Sequence, residues 1–121
     1  MICIIDYGCG NLRSIKNSIN RIEYDCVISN NPDIISKSKK IILPGVGAFS
    51  TAINKLKQMK LDIVLSEEVL KKQKPILGIC LGFQLMFSES HEFKKTSGLN
   101  WINGVVTPIN SSLRLPHNGW N

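Results

Sequence analysis

Four short, almost wholly apolar runs, Ile2–Ile5, Cys26–Ile28, Ile41–Leu43 and Ile76–Ile79, punctuate the chain, and between them apolar residues recur at helical spacing. A strand that is apolar on both sides must be covered on both sides, and covered strands alternating with helices form a parallel sheet. Asn11 stands where it can cap a helix whose stripe is Leu12, Ile15, Ile19 and Ile22. Phe49, Ala52, Ile53, Leu56 and Met59 mark a second helix, and Leu61, Val64, Leu65 and Val69 a third. "NNPD" at 30–33 reads as punctuation, and Gly104–Ile109 as a later strand. The expected fold class is α/β: a doubly wound, mainly parallel open sheet with helices on both faces. The length of 121 residues suits one domain with one core, and a hydrophobic fraction of 43% argues against disorder.

In such sheets ligands gather beyond the carboxyl ends of the strands. Three glycine-bearing segments fall at those ends: Gly8–Gly10, Gly45–Gly47 and Gly78–Gly82. None makes a phosphate cradle. "GVG" at 45–47 lacks the third glycine of the dinucleotide fingerprint, and no GK[ST] follows. The third segment, "GICLG", places Cys80 where a buried strand gives way to the start of a helix. It is the cysteine version of the G-x-S-x-G nucleophile elbow, in which glycines permit a crowded turn and the next backbone N–H can stabilise an oxyanion. A helix beginning there would also favour the thiolate. The same residue could equally be an ordinary buried thiol. Cys9, flanked by Gly8 and Gly10, is the rival nucleophile in a longer, less elbow-like loop. By pattern alone these alternatives stay open.

The other functional classes find less support. Cys3 and Cys26 lie in strand-like runs and are expected to be buried and inert. With no CxxC pair, no secretion signal and histidines only at 91 and 117, neither a disulfide framework nor a metal site is expected. His91, in the polar stretch "SESHEF", reads as a surface residue. The longest apolar run at the N-terminus, Met1–Ile5, is too short for a signal peptide or a membrane span, so the expectation is a cytoplasmic protein with no membrane partner. A formal charge of +6 raises the question of nucleic acid, but the lysines are scattered, Lys71, Lys72 and Lys74 among them, most fall on polar faces or in loops, and no aromatics interleave with them. A solvated surface, with no nucleic-acid partner, is the expectation.

Four segments carry a resemblance that covers nearly the whole chain. "PILGICLGFQLM" at 75–86 resembles the nucleophile segment of the triad-type, class I glutamine amidotransferases. "DYGCGNLRS" at 6–14, "ILPGVGAF" at 42–49 and "LPHNGWN" at 115–121 narrow the likeness to the glutaminase subunits of imidazole glycerol phosphate synthase. The resemblance implies a flavodoxin-like sheet, incomplete at its C-terminal side, with residues 1–121 forming the N-terminal portion of a single amidotransferase domain. It implies hydrolysis of glutamine to glutamate and ammonia, with Cys80 as nucleophile. Oxyanion donors would come from the Leu81 N–H and the segment Gly45, Val46 and Gly47, and Gln84 would help hold the substrate. Gln84 could instead be a plain exposed polar residue of a helix. No cofactor and no metal are implied.

The implied partner is a cyclase subunit, a (β/α)8 barrel that uses the ammonia in histidine biosynthesis to make imidazole glycerol phosphate and an aminoimidazole carboxamide ribotide. Pro116, His117, Trp120 and Asn121 match the family segment at the interface of that heterodimer, although a tryptophan there could also be core packing. The family's base and orienting acid, a His and a Glu two residues apart, lie C-terminal to everything in this chain. Residues 1–121 alone are therefore expected to be inactive. Three alternatives accompany this reading. One is a same-family subunit feeding ammonia to surface-sugar synthesis, and another is a shortened, non-catalytic subunit kept for binding its partner. The third is a thiol-based redox protein, which would need neither the "PGVG" segment nor the "DYGCGNLRS" signature.

Overall fold

The computed structural model describes residues 1–115. In chain order the elements are β1 (Ile2–Ile5), α1 (Leu12–Arg21), β2 (Cys26–Ser29), α2 (Pro32–Lys37), β3 (Lys40–Leu43), α3 (Phe49–Gln58) and α4 (Leu61–Ser66). Helix α4 runs on into a π-helical turn, Glu67–Lys71. There follow β4 (Ile76–Gly78), α5 (Leu81–Gln84), β5 (Phe87–Ser90), β6 (Thr96–Ser97) and β7 (Ile102–Val106).

The first four strands form one parallel sheet in the order β2-β1-β3-β4, with Ile2 opposite both Cys26 and Lys40 and Ile41 opposite Ile76. Strand alternation splits the apolar residues between two cores. Cys3, Ile5, Ile41 and Leu43 point into the larger one, where α2, α3 and α4 contribute Ile35, Phe49, Ala52, Ile53, Leu56, Leu61 and Leu65. Ile4 and Ile42 face the other side, with Ile19, Ile15 and Leu12 of α1. This is the doubly wound arrangement expected from the wholly apolar strands. The order reverses between β1 and β3, so the loops after these strands diverge and leave a crevice at the carboxyl end of the sheet.

Helix starts follow local chemistry. The Asn11 side chain accepts from the Ser14 N–H at 3.4 Å, as its position suggested. "NNPD" does more than punctuate: Asn31 accepts from the Asp33 N–H at 2.8 Å and Pro32 takes the first helical position, so the stretch opens α2. Two expected stripe residues lie past their helices. Ile22 and Met59 are the C-terminal caps of α1 and α3 and are exposed.

Other expectations need correction. Residues 87–106 form a second, three-stranded sheet in the order β6-β5-β7, with β7 parallel to β5 and β6 antiparallel to it. The late strand thus starts two residues earlier than Gly104 and ends at Val106. The helix after Cys80 is a single turn, so the dipole expected there is that of four residues only. Cys26, on the outer strand β2, is half-buried, whereas Cys3 is fully buried.

Lys74 is not on a solvated face. Its ammonium donates to the Ile35 and Ser36 carbonyls at 2.8 Å each and lies 2.8 Å from the Glu68 carboxylate. Lys72 donates to the other Glu68 oxygen at 2.7 Å. Burial penalises the Glu68 carboxylate, but the hydrogen bonds from Lys72 and Lys74 outweigh it and hold the carboxyl below its usual value. The π-helical turn is thereby tied to the end of α2.

Candidate active site

Strand β4 ends in a tight reversal. Gly82 N–H donates to the Ile79 carbonyl at 2.9 Å, and Cys80 stands at the first central position of that turn with φ 53° and ψ −120°. These are the dihedrals of the leading corner of a type II′ turn, a position that glycine ordinarily fills. The strain presents the side chain outward. Of the four cysteines, Cys3 and Cys9 are buried, Cys26 is half-buried and Cys80 is exposed. Cys9, the rival nucleophile, is closed off from solvent. Its flanking glycines, at φ 85° and 114°, serve the loop around it.

The glycines beside Cys80 are demanded by close approach. A Cβ on Gly82 would overlap the Leu43 carbonyl oxygen at the end of β3. One on Gly78 would lie 2.6 Å from the Phe83 Cα. Across the crevice, a Cβ on Gly45 would fall 2.6 Å from the Gly82 nitrogen and 2.9 Å from the Leu81 Cβ. The segment after β3 is therefore pressed against the elbow after β4. Gly47, at φ 97° with open space around it, and Val46, 60% exposed, carry the segment outward from that contact.

Backbone donors collect at this place. Phe83 and Gln84 N–H groups are taken by the Cys80 carbonyl and Gly82 N–H by Ile79. The N–H groups of Leu81, Gly45, Val46 and Gly47 have no partner among the described residues. Unpaired backbone N–H groups are the kind of donor that acyl transfer uses to hold a developing oxyanion.

Two contacts fasten the segment between β3 and α3. The buried Tyr7 hydroxyl donates to the Pro44 carbonyl at 2.6 Å. Burial, and to a lesser extent the neighbouring Cys9, push its ionisation well above the usual range, so it stays a donor. At the other end, the Phe49 N–H donates to the Glu92 carboxylate at 3.0 Å, capping α3 where Ala48 offers no side-chain cap. Lys55, from α3, donates to the Gly8 carbonyl at 3.2 Å and holds the loop after β1. Sequence reasoning gave neither Tyr7 nor Glu92 a role. Tyr7 stands inside the "DYGCGN" motif, which was a usable signal; Glu92 had none, being one polar residue in a polar stretch.

Gln84 is exposed, one turn beyond Cys80, and lines a cleft of about 320 Å³ with Glu92, Val106, Thr107, Pro108 and Ile109. His91 is at the surface as expected, 3.4 Å from the Glu89 carboxylate. Pro116, His117, Trp120 and Asn121 lie outside the described residues. No helix among the described residues is long and apolar enough to cross a membrane.

Comparison with known proteins places the chain in a family. The family "Glutamine amidotransferase class-I" matches residues 3–121. A protein of Vibrio vulnificus (strain YJ016), "Imidazole glycerol phosphate synthase subunit HisH 2", is 52% identical over 99% of this chain and 58% of its own length. A protein of the same name from Methanococcus maripaludis is 45% identical over 100% of the chain and 60% of its own length. A Bacillus cytotoxicus "Imidazole glycerol phosphate synthase subunit HisH" is 46% identical over 57% of its length. The chain thus spans about three fifths of the length of the curated relatives it matches. A solved structure titled "Crystal structure of glutamine amidotransferase" superposes with a TM-score of 0.73 at 15% identity, covering 88% of this chain and 56% of that one, and so supports the fold.

Proposed function

Because the chain belongs to the class-I glutamine amidotransferase family, we propose that it is the nucleophile-bearing part of the glutaminase subunit of imidazole glycerol phosphate synthase. The Cys80 thiolate attacks the side-chain carboxamide carbon of glutamine, and the carbonyl oxygen takes up the displaced electron pair. The N–H groups of Leu81 and of the Gly45–Gly47 segment hold that oxyanion. Collapse expels the nitrogen, which leaves as ammonia once protonated, and a thioester remains on Cys80. Water then attacks the thioester carbon, releasing glutamate and restoring the thiolate.

Gln84, in the single-turn helix that follows Cys80, orients the amino-acid end of the substrate. The His and Glu that move the protons lie in the stretch of the relatives that this chain does not span. The ammonia passes to a (β/α)8 cyclase subunit in a cytoplasmic heterodimer, with Pro116, His117, Trp120 and Asn121 on the shared surface.

The observation that carries this reading is the strained, exposed Cys80 on a turn closed by Gly82, which is packed against Leu43 and Gly45. The test is ammonia release from glutamine by the full-length protein assembled with its cyclase. Cys80→Ala should abolish release, and retained turnover would refute the assignment. Residues 1–121 alone should release none, because they lack two members of the triad and the loss of even one removes most of the acceleration. Turnover by that segment would mean that it contains its own base.

A second reading keeps the same glutamine chemistry and changes the ammonia acceptor; two of the relatives carry the number 2 in their printed names. A duplicated subunit of this kind would feed ammonia to another synthase of the same reaction type, as in surface-sugar synthesis. Rescue of a histidine auxotroph lacking its own glutaminase subunit decides for the first reading, and failure to rescue despite soluble, glutamine-hydrolysing protein decides for the second.

A further inference from the structure

Strand β3 ends at Leu43, whose carbonyl still serves the Ile79 N–H at 3.0 Å. The next carbonyl, that of Pro44, has left the ladder and turned into the core. There it meets the Tyr7 hydroxyl at 2.6 Å, with Tyr7 only 2% exposed. A peptide unit is planar and trans, so the Pro44 carbonyl and the Gly45 N–H lie in one plane and point in opposite directions. Whatever fixes the first fixes the second. The Gly45 N–H has no partner among the described residues, and Gly45 itself is pressed against Gly82 and Leu81 at the elbow.

We propose that Tyr7 is a positioning residue for catalysis: through the Pro44 carbonyl, its hydroxyl orients the Pro44–Gly45 peptide and with it the N–H of Gly45, the residue packed on the Cys80 turn. The inference rests on the reading of Gly45–Gly47 as part of the oxyanion site. The phenol ring fills core space that a phenylalanine would fill as well, so the hydroxyl is the informative part. Its place, 37 residues away in sequence from the carbonyl it holds, joins the loop after β1 to the loop after β3 across the crevice between those strands. Without it, the peptide keeps its packing neighbours but can rotate. A donor rotated away from the developing charge costs rate without costing ground-state binding.

The test uses the full-length protein with its cyclase partner saturating, where binding supports the folded state. Tyr7→Phe should lower kcat for glutamine hydrolysis by about 10–100-fold, the scale of a small misplacement of catalytic groups, with KM changed less than about threefold. Alkylation of Cys80 by iodoacetamide, a displacement that needs no oxyanion donors, should keep its wild-type rate. Tyr7→Met, whose flexible chain fills the space without a donor, is the second variant in case Tyr7→Phe does not fold, and should behave alike. Gly47→Val serves as reference. If Gly47→Val loses kcat while the Tyr7 variants keep it, Tyr7 has no positioning role. If neither loses it, the oxyanion reading of the segment fails first. A rise in KM alone, or an equal slowing of alkylation, would also overturn the proposal.

Discussion

Cys80→Gly should make the full-length protein more stable while leaving it without glutaminase turnover. Cys80 sits at φ 53° and ψ −120°, a region in which a residue with a Cβ carries about 1–3 kcal/mol of strain. Glycine removes that strain. It also loosens the unfolded chain, at a cost of about 0.4–1 kcal/mol. The exposed thiol contributes little burial, and the Ile79–Gly82 hydrogen bond that closes the turn is made by backbone atoms and survives. The net expectation is a gain of about 0.5–2 kcal/mol, or about 1–8 °C in Tm for a domain of roughly 150–250 residues. Cys80→Ala is the control that isolates the cause, because it removes the sulfur but keeps the Cβ and the strain. Thermal unfolding of wild type and both variants, followed by circular dichroism, measures the differences. If Cys80→Gly melts no higher than Cys80→Ala, the elbow is not strained in the way its dihedrals state.

The remaining expectations concern the same site and one distant pair. Gly47→Val, at a residue held at φ 97°, should reduce kcat by about 10²–10³-fold, the usual loss for one oxyanion donor, with KM nearly unchanged; steady-state ammonia release checks it. A glutamine-mimicking chloroketone should label Cys80 ahead of the buried Cys9, as read by peptide mapping, and preferential labelling of Cys9 would overturn the choice of nucleophile. Glu68→Gln should destabilise by about 3–5 kcal/mol, because it leaves the Lys74 ammonium buried without its counter-charge. Since the folded Glu68 carboxyl is held below its ordinary value, its contribution is whole above the ordinary carboxylate range and is lost as pH falls through the folded value. Denaturant midpoints from pH 3 to 7 should therefore rise less with pH in Glu68→Gln than in wild type.

The parallel sheet was legible because Ile2–Ile5 and Ile41–Leu43 are apolar on both faces, a pattern that few other structures tolerate. The second sheet was not. Its strand β5 is "FSES", half polar, and β6 is only Thr96–Ser97, so both look like loop until they pair. Lys74 was misplaced for a related reason. Lysines are normally solvated, and the contacts of Lys74 with Glu68 and with the Ile35 and Ser36 carbonyls join separate elements that no local pattern pairs. At the site, the glycine-flanked cysteines at strand ends marked two places, around Cys9 and around Cys80, and only the fold separates them by burying the first and exposing the second. Tyr7 and Glu92 reach the site from 37 and 43 residues away from the backbone groups they hold. The "DYGCGN" motif could flag Tyr7 as a residue to watch, but no local pattern names the backbone group that either side chain holds.

The overlap awaiting any Cβ at Gly82 has a consequence for how this site can be altered or moved. The Leu43 carbonyl that excludes a side chain there belongs to a different strand, and Gly45, two residues on, meets the same turn. The five residues Gly78–Gly82 are thus one half of a joint whose other half is Leu43–Gly45. A graft of the cysteine loop alone onto another parallel sheet would arrive without the surface that shapes it, and the thiol would relax into an unstrained turn. Transplanting both strand ends together, spaced as neighbours in register with Leu43 opposite Gly78, is the smallest exchange that preserves the elbow.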